Sequence, residues 1–116
     1  MGSTGRRGRA AETMAAAYLE IAGFEILERN VRLGGVEIDL LALEQQVQVV
    51  VEVKYRSRSD YGGGFGAVDA GKRHRLLRAA SVLVARGCSE VRIDVVSVEL
   101  SADGAELRHV RAAVDA

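Results

Sequence analysis

The stretch Val47-Gln48-Val49-Val50-Val51-Glu52-Val53-Lys54-Tyr55 constrains this chain more than any other. β-Branched residues fill it, and they suit a pleated strand better than a helix, where they lose side-chain freedom. The period of two in a strand puts Val47, Val49, Val51, Val53 and Tyr55 on one face, and Gln48, Val50, Glu52 and Lys54 on the other. The segment before it, Val36 to Leu43, is also β-branched and apolar, and there Glu37, Asp39, Leu41 and Leu43 share a face. If Gln45-Gln46 is the two-residue connection of a hairpin, Glu44 faces Val47. Counting back along both strands sets Asp39 opposite Glu52 and Glu37 opposite Lys54.

Residues opposed in an antiparallel pair have Cβ atoms about 4.5 to 5.5 Å apart, and like charges there destabilise the sheet. The carboxylates of Asp39 and Glu52 therefore admit two readings. One is a solvated hairpin face, eased by a Glu37 to Lys54 cross-strand ion pair. The other is a hard divalent cation, Mg²⁺ or Mn²⁺. Mg²⁺ accepts carboxylate oxygens, keeps several waters and is usually held by one or two protein carboxylates plus substrate phosphate. In that second reading Lys54 stands beside the ion, stabilising charge on a phosphate or orienting the attacking water.

Around this hairpin the pattern predicts one domain over residues 1–116, with a loose lead of about nine residues. Ala10 to Ala22 is helical in character and stops at Gly23. Extended segments follow at Phe24 to Arg32, Val36 to Leu43 and Val47 to Tyr55. The run Ser57 to Gly66 is a glycine-rich loop. Helix resumes near Asp69 and runs to about Arg86, with Gly87 as terminator. Val91 to Leu100 reads as a strand, and Leu107 to Val110 as a short edge strand after the Asp103-Gly104 turn. The order is α-β-β-β-α-β-(β). A chain of 116 residues buries roughly two-thirds of its unfolded surface and needs no disulfide or zinc to fold. The lone Cys88 and the absence of an apolar run of about 18 residues make a cytoplasmic protein without membrane partners the expectation.

Sixteen basic residues cancel sixteen acidic ones, yet they are unevenly spread. Residues 54 to 86 carry eight basic and two acidic side chains, while the segments on either side are each net negative. That middle third holds Lys54, Arg56, Arg58, Lys72, Arg73, Arg75 and Arg78. A basic run is commonly a solvated helix face, but its closeness in sequence to the acidic hairpin favours a phosphate-backbone footprint. Gly66 to Arg73 fits G-x-x-x-x-G-K but has Arg73 where a nucleotide-binding loop needs Ser or Thr, and it follows a loop instead of a strand. Tyr61 and Phe65 could stack on bases. Tyr55 shares the parity of the valines and belongs with the core. His74 and His109 have no partner at ligand spacing and read as surface residues.

Asp39 followed by Glu52-Val53-Lys54 after an apolar strand resembles the metal-binding signature of the PD-(D/E)xK nuclease superfamily. The segments Tyr18 to Asn30, Glu37-Ile38-Asp39-Leu40-Leu41-Ala42, Val51 to Arg56 and Arg92-Ile93-Asp94-Val95-Val96 are similar to the bacterial YraN-type family, a relative of archaeal Holliday junction resolvases. The resemblance implies a restriction-endonuclease-like fold, a mixed sheet flanked by helices. It implies that Asp39 and Glu52 ligate the metal, that Lys54 is catalytic and that Glu12 completes the site from the first helix. For Glu12 the residues alone allow a plainer account, since an acid in a helix's first turn is favoured by the macrodipole. Ala11 and Val36 stand where the family usually has glycine. The expected activity is Mg²⁺- or Mn²⁺-dependent hydrolysis of DNA phosphodiesters, with branched DNA favoured and a role in repair or recombination. Lys72 would contact phosphate, and two-fold cutting of a junction would require a homodimer. The alternative is a nucleic-acid-binding module of the same fold that does not cut.

Overall fold

Val49, Val50 and Val51 are all fully buried, so the strand that carries them is covered on both faces. In this computed structural model, which describes residues 5–57 and 69–114, the cover is one helix on each side. The elements are α1 (Arg6–Ile21), β1 (Glu25–Leu33), β2 (Val36–Glu44), β3 (Val47–Ser57), α2 (Ala70–Ala85), β4 (Val91–Ser101) and β5 (Gly104–Val110). Among the described residues they form one five-stranded sheet in sequential order, with β3 and β4 parallel and the other neighbours antiparallel. The expected mixed sheet flanked by helices is therefore the architecture found, in the expected order. The helix between parallel neighbours β3 and β4 is α2, the crossover such a pair demands.

Ala11, Ala15, Ala16 and Leu19 of α1 pack on Leu40, Ala42, Val49, Val51, Val96 and Val98. On the opposite face Leu76, Ala79 and Leu83 of α2 pack on Leu41, Val50 and Ile93. Ala11 and Val36, the two departures from the family pattern, are both buried in the core.

The β2–β3 register is the expected one, from Glu44↔Val47 to Leu40↔Val51 around a Gln45-Gln46 turn in which Gln45 takes a φ of 56°. The pairing ends there. Glu37 and Lys54 are therefore not cross-strand partners, and Glu37 is exposed. β2 also loses its simple alternation: the α2-side cluster takes Leu41 from the odd positions but Val36 and Ile38 from the even ones. The phase changes around Asp39, whose neighbour across β1 is Asn30, held at a φ of 52° between the pairs Arg29↔Leu40 and Val31↔Ile38.

Two boundaries move by three residues or more. α1 begins at Arg6 instead of Ala10: Arg6 to Arg9, expected in the loose lead, belong to the helix, with Gly5 as N-cap, and residues 1–4 of that lead lie outside the described residues. β5 begins at Gly104 instead of Leu107, because the whole segment pairs with β4 from Ser101↔Gly104 to Val95↔Val110. The β1–β2 turn packs closely on α2: a Cβ at Gly34, whose φ is +60°, would lie 2.8 Å from a Val82 methyl. This contact sets the hairpin turn against the C-terminal half of α2.

Candidate functional site

Beyond Leu40↔Val51 the amide of Val53 is bonded by a side chain: it donates to Asp39 Oδ2 at 2.7 Å. Asp39 is thereby fixed at the end of the β2–β3 ladder, half-buried, with its carboxyl turned to β3. Glu52, the residue before Val53, is only 8% exposed. Both line a cleft of about 350 Å³ between the β1–β2 hairpin and α2, together with Arg32, Glu37, Lys72 and Arg75. The two acids that the hairpin register predicted to meet do meet, although through Asp39's side-chain bond to β3 and not through a continued ladder.

The electrostatics record how close the acids are. Burial, the charge of Glu52 and the charge of Glu12 raise the Asp39 carboxyl to about 7, against the opposing pull of the Val53 N–H and the Lys72 ammonium. Glu12 is 3% exposed in α1. Because α1 starts at Arg6, its first turn holds no acid and Glu12 lies a turn further in, so the macrodipole no longer accounts for it. Its charge is instead felt by Asp39.

Lys72 Nζ sits 2.8 Å from Glu52 Oε2. Its backbone is pinned as well, since the Lys72 amide donates to Oδ1 of the N-cap Asp69 at 2.8 Å. Lys54 lines an adjoining cleft of about 320 Å³ with Glu52, Tyr55, Arg56 and Lys72. Burial, then the neighbouring Arg56, lowers its ammonium pKa. The Arg56 Nε is buried without a hydrogen-bond partner among the described residues.

Of the basic residues singled out from the sequence, Arg56, Lys72 and Arg75 line these clefts, and Arg73 is exposed on α2 outside them. Arg58, Tyr61 and Phe65 lie outside the described residues. Sequence reasoning missed Arg32, which lines the cleft from the hairpin and donates to the Gly35 carbonyl at 3.2 Å. It precedes the turn glycines by two residues in a segment read only as a strand, and nothing local tied it to α2.

As for a metal, no three Asp, Glu, His or Cys side chains converge as a cage among the described residues. The hard oxygens of Asp39 and Glu52 suit the other mode, in which one or two carboxylates hold Mg²⁺ or Mn²⁺ and water and substrate complete the shell.

A second polar cluster lies on the α1 side, and it corrects the reading of His109 as a surface residue. Asp94, 0% exposed in β4, accepts from Arg92 Nε at 2.8 Å, His109 Nε2 at 2.8 Å and the Ala112 amide at 3.0 Å. His109 Nδ1 meets the Tyr18 hydroxyl at 2.8 Å, and its ring stands edge-on to that of Tyr18. Arg92 and Arg111 both reach Glu44, and both lie near the face of Phe24. Burial pushes the Asp94 carboxyl up, but Arg92, His109 and the Ala112 amide together pull it below the usual carboxylate range. The only sequence signal was an Asp inside an apolar strand.

The model of the family described as "Uncharacterised protein family UPF0102" matches residues 11–98, from the turn that carries Glu12 to the end of the β3–β4 core. The chain belongs to the UPF0102 family. This is the YraN-type family of the sequence resemblance. A UPF0102 protein of Dechloromonas aromatica is 41% identical over 98% of this chain and 92% of its own length. One from Halorhodospira halophila is 46% identical over 91% and 84%, and one from Symbiobacterium thermophilum 47% over 85% and 86%. A solved structure of Pyrococcus furiosus SfsA in complex with Ca²⁺ aligns with 95% of this chain and 64% of its own at a TM-score of 0.38 and 15% identity, too distant a likeness to support an argument. No described helix is long and apolar enough to cross a membrane.

Proposed function

We propose that this UPF0102 protein is a metal-dependent nuclease of the PD-(D/E)xK type, hydrolysing phosphodiesters of DNA. The observation that carries the reading is the pairing of Asp39 with Glu52 in one cleft that Arg32 from the hairpin and Lys72 and Arg75 from α2 make basic. Two apposed carboxylates, one half-buried and one buried, cost stability unless a cation joins them, and the basic side chains beside them have the charge to hold a phosphate. Bound there, Mg²⁺ or Mn²⁺ would supply a Lewis acid for the scissile phosphate. Asp39 and Glu52 hold the ion, with Asp39 oriented by the Val53 amide. Glu12 adds negative charge behind Asp39 and strengthens the attraction for a cation. Lys54, on the same strand two residues from Glu52, stabilises charge on the phosphate or orients the attacking water. Arg32, Arg56 and Arg75 grip the backbone on either side. Branched DNA is the favoured substrate, and symmetric cutting of a four-way junction would use two copies about a two-fold axis.

Incubating the protein with linear, flap and four-way-junction DNA in Mn²⁺, beside Asp39→Asn and Glu52→Gln, tests the reading. Cleavage by the parent and none by the variants is expected. DNA binding by the parent without cleavage of any substrate would leave a non-catalytic binding module. Failure to bind either Mn²⁺ or DNA would remove the proposal.

A further inference from the structure

Lys72 holds an unusual position for a phosphate-binding side chain, because its ammonium is spent on an acid of the site. Glu52 is buried, and a buried carboxylate is costly unless paired. Asp39 and Glu12 add negative charge around it, and at ion-pair distance from Glu52 the described residues offer Lys72 Nζ, 2.8 Å away. The first turn of α2 anchors the residue through the Lys72 amide and Asp69, so its stem moves only by rotation of the side chain. That side chain is 37% exposed and has water to turn into. Lys72 and Glu52 are also the residues that both clefts share, the one with Arg32 and Arg75 and the one with Lys54 and Arg56.

We propose that Lys72 is a built-in substitute for the divalent cation: it neutralises Glu52 while no metal is bound and, once displaced, becomes a ligand of the substrate phosphate. This rests on the nuclease reading above. Charge balance supports it. A divalent ion on Asp39 and Glu52 satisfies both carboxylates and leaves the Lys72 ammonium without its bonded acid. A phosphate entering between the clefts supplies a new one, within reach of a four-carbon stem. Metal and Lys72 then compete at Glu52, while metal and DNA cooperate through Lys72. The device keeps the buried Glu52 of the resting protein paired and ties the strongest grip on phosphate to a loaded site.

The test is calorimetric titration of Mn²⁺ into the parent, Lys72→Met and Lys54→Met. It is paired with DNA affinity for a short duplex with and without Ca²⁺ at constant ionic strength. Lys72→Met keeps the stem and removes the competitor, so it should bind Mn²⁺ roughly tenfold tighter than the parent, the scale of one charge-assisted hydrogen bond. Lys54→Met, which removes a nearby charge that is not on Glu52, should change Mn²⁺ affinity by about threefold or less. Ca²⁺ should raise the parent's DNA affinity and leave that of Lys72→Met nearly unchanged. Lys72→Gln, a polar replacement, should behave like Lys72→Met, and circular dichroism of each variant confirms its fold. If the parent binds Mn²⁺ but Lys72→Met and Lys72→Gln bind it no tighter, or if Lys54→Met gains as much, the substitute role is refuted and the nuclease reading stands. If the parent binds no Mn²⁺, both fall together.

Discussion

Asp39 makes the acidic pair measurable without any substrate. Its carboxyl, ordinarily near 3.8, is raised to about 7 by burial and by Glu52. An acid whose native pKa exceeds its unfolded value holds its proton longer when folded, so stability is lost as pH rises from near 3.8 through 7 and levels off above. A change of about three pH units at about 1.4 kcal/mol each sets an upper bound of roughly 4 kcal/mol on that loss. Asp39→Asn removes it: the amide oxygen can still accept from the Val53 N–H, and the repulsion with Glu52 is gone. In urea unfolding with EDTA, the variant should match the parent within about 1 kcal/mol near pH 4.5 and exceed it by about 2 to 4 kcal/mol near pH 8. Subtracting the parent curve cancels the other titrating groups, Asp94 and Glu44 included. Parallel curves across this range would refute the claim that Asp39 and Glu52 are forced together in the folded protein.

Lys54→Ala should lose about 10² to 10³ in cleavage rate yet keep Mn²⁺ binding, since it acts on phosphate and water and not on the ion; equal turnover would end that role. Replacing Arg32 and Arg75 together by Ala should weaken binding to all DNA sequences alike and flatten the plot of log affinity against log salt by about 2, and an unchanged slope would return both to the solvated surface. Asp94→Asn should cost about 3 to 5 kcal/mol in urea unfolding, because it strips the buried charge from Arg92 and His109; a loss under about 1 kcal/mol would show the cluster to be dispensable. Light scattering of the protein with a four-way junction should find two protomers per junction, and a strict one-to-one complex would restrict the proposal to other substrates.

Much of the site was legible before folding because it depends on local periodicity. The two-residue repeat, with a two-residue turn, brings Asp39 toward Glu52, and composition alone locates the crossover helix after the glycine-rich run. The same rule failed one step further on. Glu37 and Lys54 do not pair, because Asp39 spends its carboxyl on the Val53 amide and ends the ladder, and no rule of alternation anticipates a side chain competing for a backbone donor. Glu12 shows the opposite case. From sequence its acid had an ordinary explanation at a helix start, and only the extension of α1 to Arg6, with burial beside Asp39, removes it. Arg32, the Lys72–Glu52 pair and the Asp94–His109 cluster join residues distant in the chain. Each depends on how α1, α2 and β5 pack on the sheet, and such contacts leave no periodic trace because their partners are chosen by the sum of many burial energies. Sequence by itself determined the order of the strands, the register of the β2–β3 hairpin as far as Leu40↔Val51 and the placing of two acids just beyond it. Tertiary packing decided which cation meets those acids, which arginines share their cleft, and that His109 belongs to the interior.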